Sequence, residues 1–283
     1  MYKKIRSLLV PETAPSMLAL AYSVALALLA SSCSPNQIKS NTQQSAQPAP
    51  SADNGSQGID DVRTPIEKLK TISNEYRAKY ALNDVFTKLV DNRGNNFAPL
   101  YGVRNFRVVL HGVYYRGGAN NSYNTADGIR DNQNPLQVGG LNNLCEEGFK
   151  QSIYLYSTNY NTAPRSVSCT TYKNESSAMK YDQISPLNFK NSEKFISTVY
   201  NVIKGQSTGP IYGHCWNGWH ASGFVSAILL KQFCGYSDAK ALDYWIKNTD
   251  GDSNYPSIQT QVTAFKPIAK YQISAAESEL ICP

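Results

Sequence analysis

The chain has 283 residues, with 27 Lys and Arg against 21 Asp and Glu, and six Cys. The surplus of positive charge is spread thinly, with no basic cluster and no nucleic-acid motif, so no nucleic-acid partner is expected. The length leaves room for one sizeable core, and no internal repeat divides it.

The first residues, Met1 to Arg6, are basic, and Met17 to Ala30 is an apolar run that ends in Ser31-Ser32-Cys33. A basic start, an apolar middle and small residues before a cleavage point describe a secretory signal peptide over residues 1–33. A Cys directly after those small residues resembles the bacterial lipoprotein signal, which implies cleavage before Cys33 and lipid on its thiol, although Ala30 departs from the usual Leu. An uncleaved anchor is the alternative, and the run is short against the ~20 residues that a span needs. Either way the rest of the chain lies outside the cytoplasm, with the membrane as a partner through the lipid. Ser34, where Asp is absent, resembles the sorting pattern of Gram-negative lipoproteins. It places the protein in the bacterial cell envelope, facing the periplasm or the cell surface, with the outer membrane as the expected site. Residues 34–61 are Gln, Ser, Asn, Pro, Ala and Gly, which cannot bury a core, so they read as a disordered tether.

Residues 62–283 form the expected domain. Thr64-Pro65 before an apolar-periodic run marks a helix start, and a broken continuation through Asn83 to Leu89 makes residues 62–100 a helical extension. Phe106 to Gly118 alternates and turns at His111-Gly112, as a hairpin does. Leu141 to Gly148 reads as a short helix ended by Gly, followed by a strand from Gln151 to Tyr156. A strand from Met179 to Leu187 precedes a helix from Asn191 to Ile203, whose apolar Phe195, Ile196, Val199 and Val202 cover a sheet face. Pro210 to Tyr212 is an apolar strand. After the loop that follows it come a helix from Phe224 to Gln232, a stop at Gly235 and a helix from Ser237 to Lys247. Thr249 to Asn254 lacks the closing Glu of a calcium loop and reads as a turn, and Gln259 to Gln272 is the last helix. Strands alternating with helices predict an α/β fold. The 19 Tyr suggest a polar, aromatic surface that hints at sugar or protein contacts.

The informative stretch is Ile211 to Gly223. It holds two of the chain's three His and two of its three Trp in a loop between a strand and a helix. Successive backbone N–H groups curling into a helix N-terminus make a nest with partial positive charge, and Gly lets the backbone approach a ligand closely. A Cys in such a nest favours the thiolate and is aimed at whatever anion the nest holds. The plainer alternative is a buried Cys packed under a strand–helix turn.

His214-Cys215-x-x-Gly218-x-x-x-Ser222-Gly223 resembles the signature loop of the cysteine-dependent protein tyrosine and dual-specificity phosphatases, normally His-Cys-x-x-Gly-x-x-Arg-Ser/Thr-Gly. The resemblance extends from Phe106 to Trp245 through Val113-Tyr114-Tyr115-Arg116-Gly117-Gly118, the helix-Gly-strand step at Gly148 and the helix step at Gly235-Tyr236-Ser237. It implies a three-layer α/β fold, with a central, mostly parallel sheet flanked by helices. It also implies Cys215 as nucleophile, His214 and Gly223 orienting the loop, phosphate held by Trp216, Asn217, Gly218, Trp219, His220, Ala221 and Ser222, and Ser222 helping the thiolate to leave. Neither a cofactor nor a metal is implied. Ala221 stands where the family carries its Arg, so the planar fork that grips two phosphoryl oxygens is missing, a loss of order 100- to 1000-fold in rate by analogy with other anion-stabilising donors. The loop that should carry the acid Asp reads Pro186-Leu187-Asn188-Phe189-Lys190. Asp182 is the nearest carboxylate upstream, on a strand that suits a structural role. His220 aligns with the Asp of the Gly-Trp-Asp-Arg loop in phosphoinositide-directed members, so an imidazole is a second candidate acid. The bland reading has its ring filling the space the Arg left. Arg116 or Arg165 are candidates to replace the lost guanidinium.

With Cys33 and Cys215 set aside, Cys145, Cys169, Cys234 and Cys282 remain. Pairing Cys145–Cys169 and Cys234–Cys282 is the sequence-local arrangement among three, and it suits an exported protein. Three functions follow: an exported, lipid-anchored phosphatase-fold protein of impaired turnover that binds a phosphate- or sulfate-bearing small molecule or protein, an active phosphatase working through a phosphocysteine, and a structural or adhesion lipoprotein with a relic loop.

Overall fold

The computed structural model describes residues 63–121, 132–186 and 189–283. The leader, Cys33, the tether and Asn188 lie outside them.

Helix α1 (Pro65–Tyr80) begins on a capping box in which the Thr64 side chain accepts from the Glu67 N–H and Glu67 accepts from the Thr64 N–H, and it ends on Ala81 in the left-handed region. The helix does not resume over 83–89. Asp84 Oδ1 instead accepts from the N–H groups of Phe86 and Thr87, both at 2.7 Å, a local bond that competes with the helical ladder. A short 3-10 turn over Ala98–Leu100 is the other helical piece in this region.

The sheet has strands β1 (Arg107–Leu110), β2 (Tyr114–Gly117), β5 (Gln151–Tyr154), β6 (Ser166–Thr170), β7 (Ser176–Gln183) and β8 (Ile211–His214); β3 (Asn120–Asn121) and β4 (Asn132–Gln133) pair separately. Its order is β1-β2-β8-β5-β7-β6. The four central strands are parallel and the two edges antiparallel, so the mostly parallel sheet is as expected. The remaining helices are α2 (Val138–Glu146), α3 (Phe189–Ile203), α4 (His220–Cys234), α5 (Asp238–Lys247), α6 (Pro256–Ala264) and α7 (Ala275–Ile281).

Two cores flank the sheet, as a three-layer α/β arrangement requires. Side-chain alternation along β8 sends Ile211 and Cys215 to the face covered by α3 to α6, and Tyr212 to the face shared with α2 and the end of α1. Helix α4 is apolar nearly all round, as a helix enclosed on all sides must be, and is buried from Ala221 to Phe233. Both expected disulfides are present. Cys145–Cys169 ties α2 to β6, and Cys234–Cys282 ties the end of α4 to the residue after α7. The last expected helix is cut in two, with α6 ending before Pro267 and α7 starting on the capping box of Ser274 and Glu277. Among the described residues no helix is long and apolar enough to cross a membrane. The tyrosines divide between core and surface: Tyr76, Tyr80, Tyr114, Tyr115, Tyr181 and Tyr212 are in the cores, several packed edge to face, while Tyr101, Tyr172 and Tyr255 are exposed.

Candidate functional site

Strand β8 was inserted between β2 and β5, strands that come earlier in the chain, so its carboxyl end opens at the point where the sheet's connections diverge. Ligands of open α/β sheets bind at such points. His214 closes the strand. Its Nε2 lies 2.8 Å from the Tyr181 hydroxyl and its Nδ1 3.3 Å from the Cys215 carbonyl, and its ring stacks on Tyr154, Tyr181 and Tyr212. Burial pushes His214 down to about 3, so the imidazole is neutral and serves as a spacer that fixes the loop's first peptide.

Burial, with Arg77 nearby, likewise pushes His111 down to about 4. Both rings stay neutral in the native state while the unfolded chain binds protons below the ordinary value of 6.5. Stability therefore rises with pH across this window and falls as pH drops from about 6.5 toward 4, and the part of the fall above about pH 5 precedes the titration of the carboxylates. Melting temperatures measured from pH 7.5 to 4 should show this decline, and His111→Gln should reduce its slope by roughly 1.4 kcal/mol per pH unit. A melting temperature that is flat down to pH 4.5 contradicts it.

Cys215 is buried and is the free cysteine among the described residues. Its Sγ is 3.4 Å from Ser222 Oγ, one helical turn into α4.

The loop between them has its carbonyls held from outside. Trp216 O accepts from Ala119 N at 2.7 Å and from Arg104 Nε and Nη2 at 3.2 and 2.6 Å. Asn217 O accepts from Asn105 Nδ2 at 2.7 Å. Arg116 Nη2 donates to Gly218 O, to Trp219 O at 3.2 Å and to Ser222 Oγ at 3.3 Å, and Arg116 Nη1 donates to Tyr244 Oη at 3.0 Å. In a planar trans peptide the N–H points opposite to the preceding C=O. The N–H groups of Asn217, Gly218, Trp219 and His220 are thereby turned away from these donors. Among the described residues none accepts from any backbone N–H between Trp216 and Ser222, and Trp219 at the N-cap of α4 supplies no side-chain cap. Gly218 is required at φ +77°, where an added Cβ would meet the Gly117 carbonyl carbon at 2.7 Å.

Arg104, Arg107 and Arg116 are all buried around this loop. Burial and the neighbouring Arg116 lower Arg107 to about 10, which leaves it charged at neutral pH. Its carboxylate partner is Asp250, 3.5 Å from Nη2, and Asp250 also takes Lys88 and, at 3.1 Å, the Trp219 indole N–H. The turn expected at 249–254 thus clamps the loop from outside.

Of the two candidate acids, neither is brought onto the sulfur. Asp182 Oδ2 accepts from Gln151 Nε2 at 2.7 Å on the sheet. His220 Nε2 is 2.7 Å from the Asp252 carbonyl, with its ring 4.0 Å from that of Tyr255. Arg165 lies over the Tyr160 ring. The buried arginines and Asp250 are the parts that sequence reasoning missed, apart from naming Arg116. Tyr156 is a further one: burial first, then Cys215, raises its hydroxyl, so it keeps its proton.

Fold and site together define an α/β domain with an open ring of amides and a free cysteine at the carboxyl end of its central strand. No family model matches the chain, and no curated protein matches it. Among solved structures it is similar to the crystal structure of TpbA from P. aeruginosa, at 13% identity over 56% of this chain and 86% of that one, with a TM-score of 0.36. That likeness is too distant to carry a function across.

Proposed function

We propose that the chain is an exported protein, lipid-anchored at Cys33 in the bacterial cell envelope, whose Cys215 loop binds a phosphate- or sulfate-bearing ligand with little or no turnover. The observation that carries this reading is the set of loop amides without acceptors, whose peptide carbonyls are tied back to Arg104, Asn105 and Arg116. Unsatisfied N–H groups at a helix N-terminus take an anion readily. Two features weigh against efficient catalysis: the Ala221 side chain offers no donor to a phosphoryl group, and Asp182 and His220 are engaged elsewhere.

Sulfate or phosphate should raise the melting temperature, with a stabilisation of about 2.7 kcal/mol at a concentration 100-fold above Kd. Gly218→Ala, which crowds the Gly117 carbonyl carbon, should remove that response. No response to either anion in the unaltered protein would sink the reading.

A second reading, a slow cysteine-dependent phosphatase, is favoured by one observation. Four cysteines are paired while the buried Cys215 stays a thiol beside the Ser222 hydroxyl. A stoichiometric burst with an aryl phosphate, lost in Cys215→Ser, supports it; anion binding without a burst leaves the first reading standing.

A further inference from the structure

Beside the loop lies a groove of about 660 Å³ with Trp216 in its wall. The other walls come from the segment leading into α2, with Asn134, Pro135, Leu136, Gln137, Val138 and Gly139, and from the turn holding Asn159, Thr162, Ala163 and Pro164. Among the described residues no charged side chain lines it. Three carboxamides do, and they alternate with apolar faces.

Trp216 is 46% exposed although its backbone is pinned by Ala119 and Arg104, so a large indole is presented in a fixed place. Asn134 donates from Nδ2 to the Tyr154 hydroxyl at 3.0 Å, which leaves its Oδ1 buried and without a partner. Tyr154 in turn stacks on His214, so Asn134 in the groove wall is linked through one ring to the start of the cysteine loop, and Trp216 belongs to both.

We infer that this groove holds the uncharged, hydroxyl-rich part of the ligand whose phosphate sits in the Cys215 loop, so that the ligand is a phosphorylated sugar. This rests on the anion-binding reading above. A sugar has C–H faces that pack on an indole, whose ring face is negative, and hydroxyls that both donate and accept. Carboxamides match that mixture, whereas a polyphosphate would call for cations and a phenol ring offers no hydroxyls for three amides. A pocket of this size with a few placed polar groups is the form that small-molecule sites take.

The test is affinity of the full chain for inorganic phosphate, a hexose 1-phosphate and phosphotyrosine, by calorimetry, in the unaltered protein and in the double variant Gln137→Ala/Asn159→Gly. Gln137 makes no capping hydrogen bond to α2, and Gly suits the positive φ of 62° at Asn159, so both changes leave the fold in place. The hexose phosphate should bind at least about tenfold more tightly than phosphate, the equivalent of two or so net hydrogen bonds. The double variant should lose that advantage and keep its phosphate affinity. Phosphate binding with no gain from the hexose, or a gain seen with phosphotyrosine instead, overturns the assignment of the groove while the anion site stands. Absence of binding by all three overturns the anion site itself, and the groove's ligand with it.

Discussion

Arg116→Met is expected to lower the melting temperature by roughly 6–12 °C and to abolish the response to sulfate. Arg116 is fully buried on β2, and its two terminal nitrogens serve four acceptors: Gly218 O, Trp219 O, Ser222 Oγ and Tyr244 Oη. Methionine fills the volume but donates nothing. Gly218 O is left without a donor among the described residues, which costs about 1–3 kcal/mol for a buried carbonyl, while Trp219 O keeps the Gly223 N–H at 3.0 Å and Ser222 Oγ and Tyr244 Oη each lose one bond. About 3 kcal/mol in total corresponds to roughly 2–4 °C per kcal/mol in a domain of this size. The effect on binding follows from the same bonds. Once Gly218 O is released and Trp219 O keeps only the Gly223 N–H, the peptides that carry the Trp219 and His220 N–H groups lose their anchor on β2, and half of the proposed ring of amides loses its shape. Arg116→Lys tests whether charge or shape matters, because an ammonium cannot span the acceptors as the planar fork does. It should recover less than half of the lost stability and little of the sulfate response. Calorimetric melts of both variants with and without sulfate settle the matter. An Arg116→Met protein that melts within 2 °C of the parent and still responds to sulfate refutes the role.

The role of Arg116 also marks the boundary of what the chain discloses before it folds. The α/β alternation, the hairpin at His111-Gly112, the stop at Gly235 and the two disulfides are carried by local signals: periodicity, turn residues and short cysteine separations. The loop itself is local too, since strand, glycines and helix are contiguous. Arg104, Arg107 and Arg116 look like polar positions of half-exposed strands, and only the packing of β1 and β2 beneath the loop puts them inside. Strand β6 carries only a brief signal, because in Ser166 to Thr170 the half-buried Val167 and Cys169 alternate with exposed Ser166, Ser168 and Thr170 over five residues of a sheet edge. The burial of several tyrosines is likewise tertiary, since the hydroxyls of Tyr76, Tyr181 and Tyr212 find their partners far along the chain, in the Glu147 carbonyl, His214 Nε2 and the Gly118 carbonyl. By contrast Asp84-x-Phe86-Thr87, Pro267 and Ser274-x-x-Glu277 are local signals, for an Asx turn, a break and a capping box, and each is borne by residues in plain sequence.

Ala221→Arg is expected to raise the rate of aryl phosphate hydrolysis by about 100- to 1000-fold over the parent. Ala221 is the second residue of α4, inside the turn that carries the unpartnered amides and one residue before Ser222. A guanidinium there adds two parallel donors to an anion already met by backbone N–H groups, and its benefit grows as charge builds on the equatorial oxygens. Ala221 is buried, so the longer side chain must run out along the loop, at a cost of about 1–3 kcal/mol if it crowds its neighbours. The substrate should carry an activated phenol, which departs without a proton and makes the missing acid irrelevant to the outcome. Ala221→Lys supplies charge without the fork and should gain far less. Adding Cys215→Ser to Ala221→Arg should return the rate to background, because the phosphoryl group then has no sulfur to bond to as the phenolate leaves. A folded Ala221→Arg protein that binds sulfate but hydrolyses no faster than the parent would mean that the sulfur is not aligned with the bound anion. The amides would then form a receptor, and Cys215 would be part of its floor.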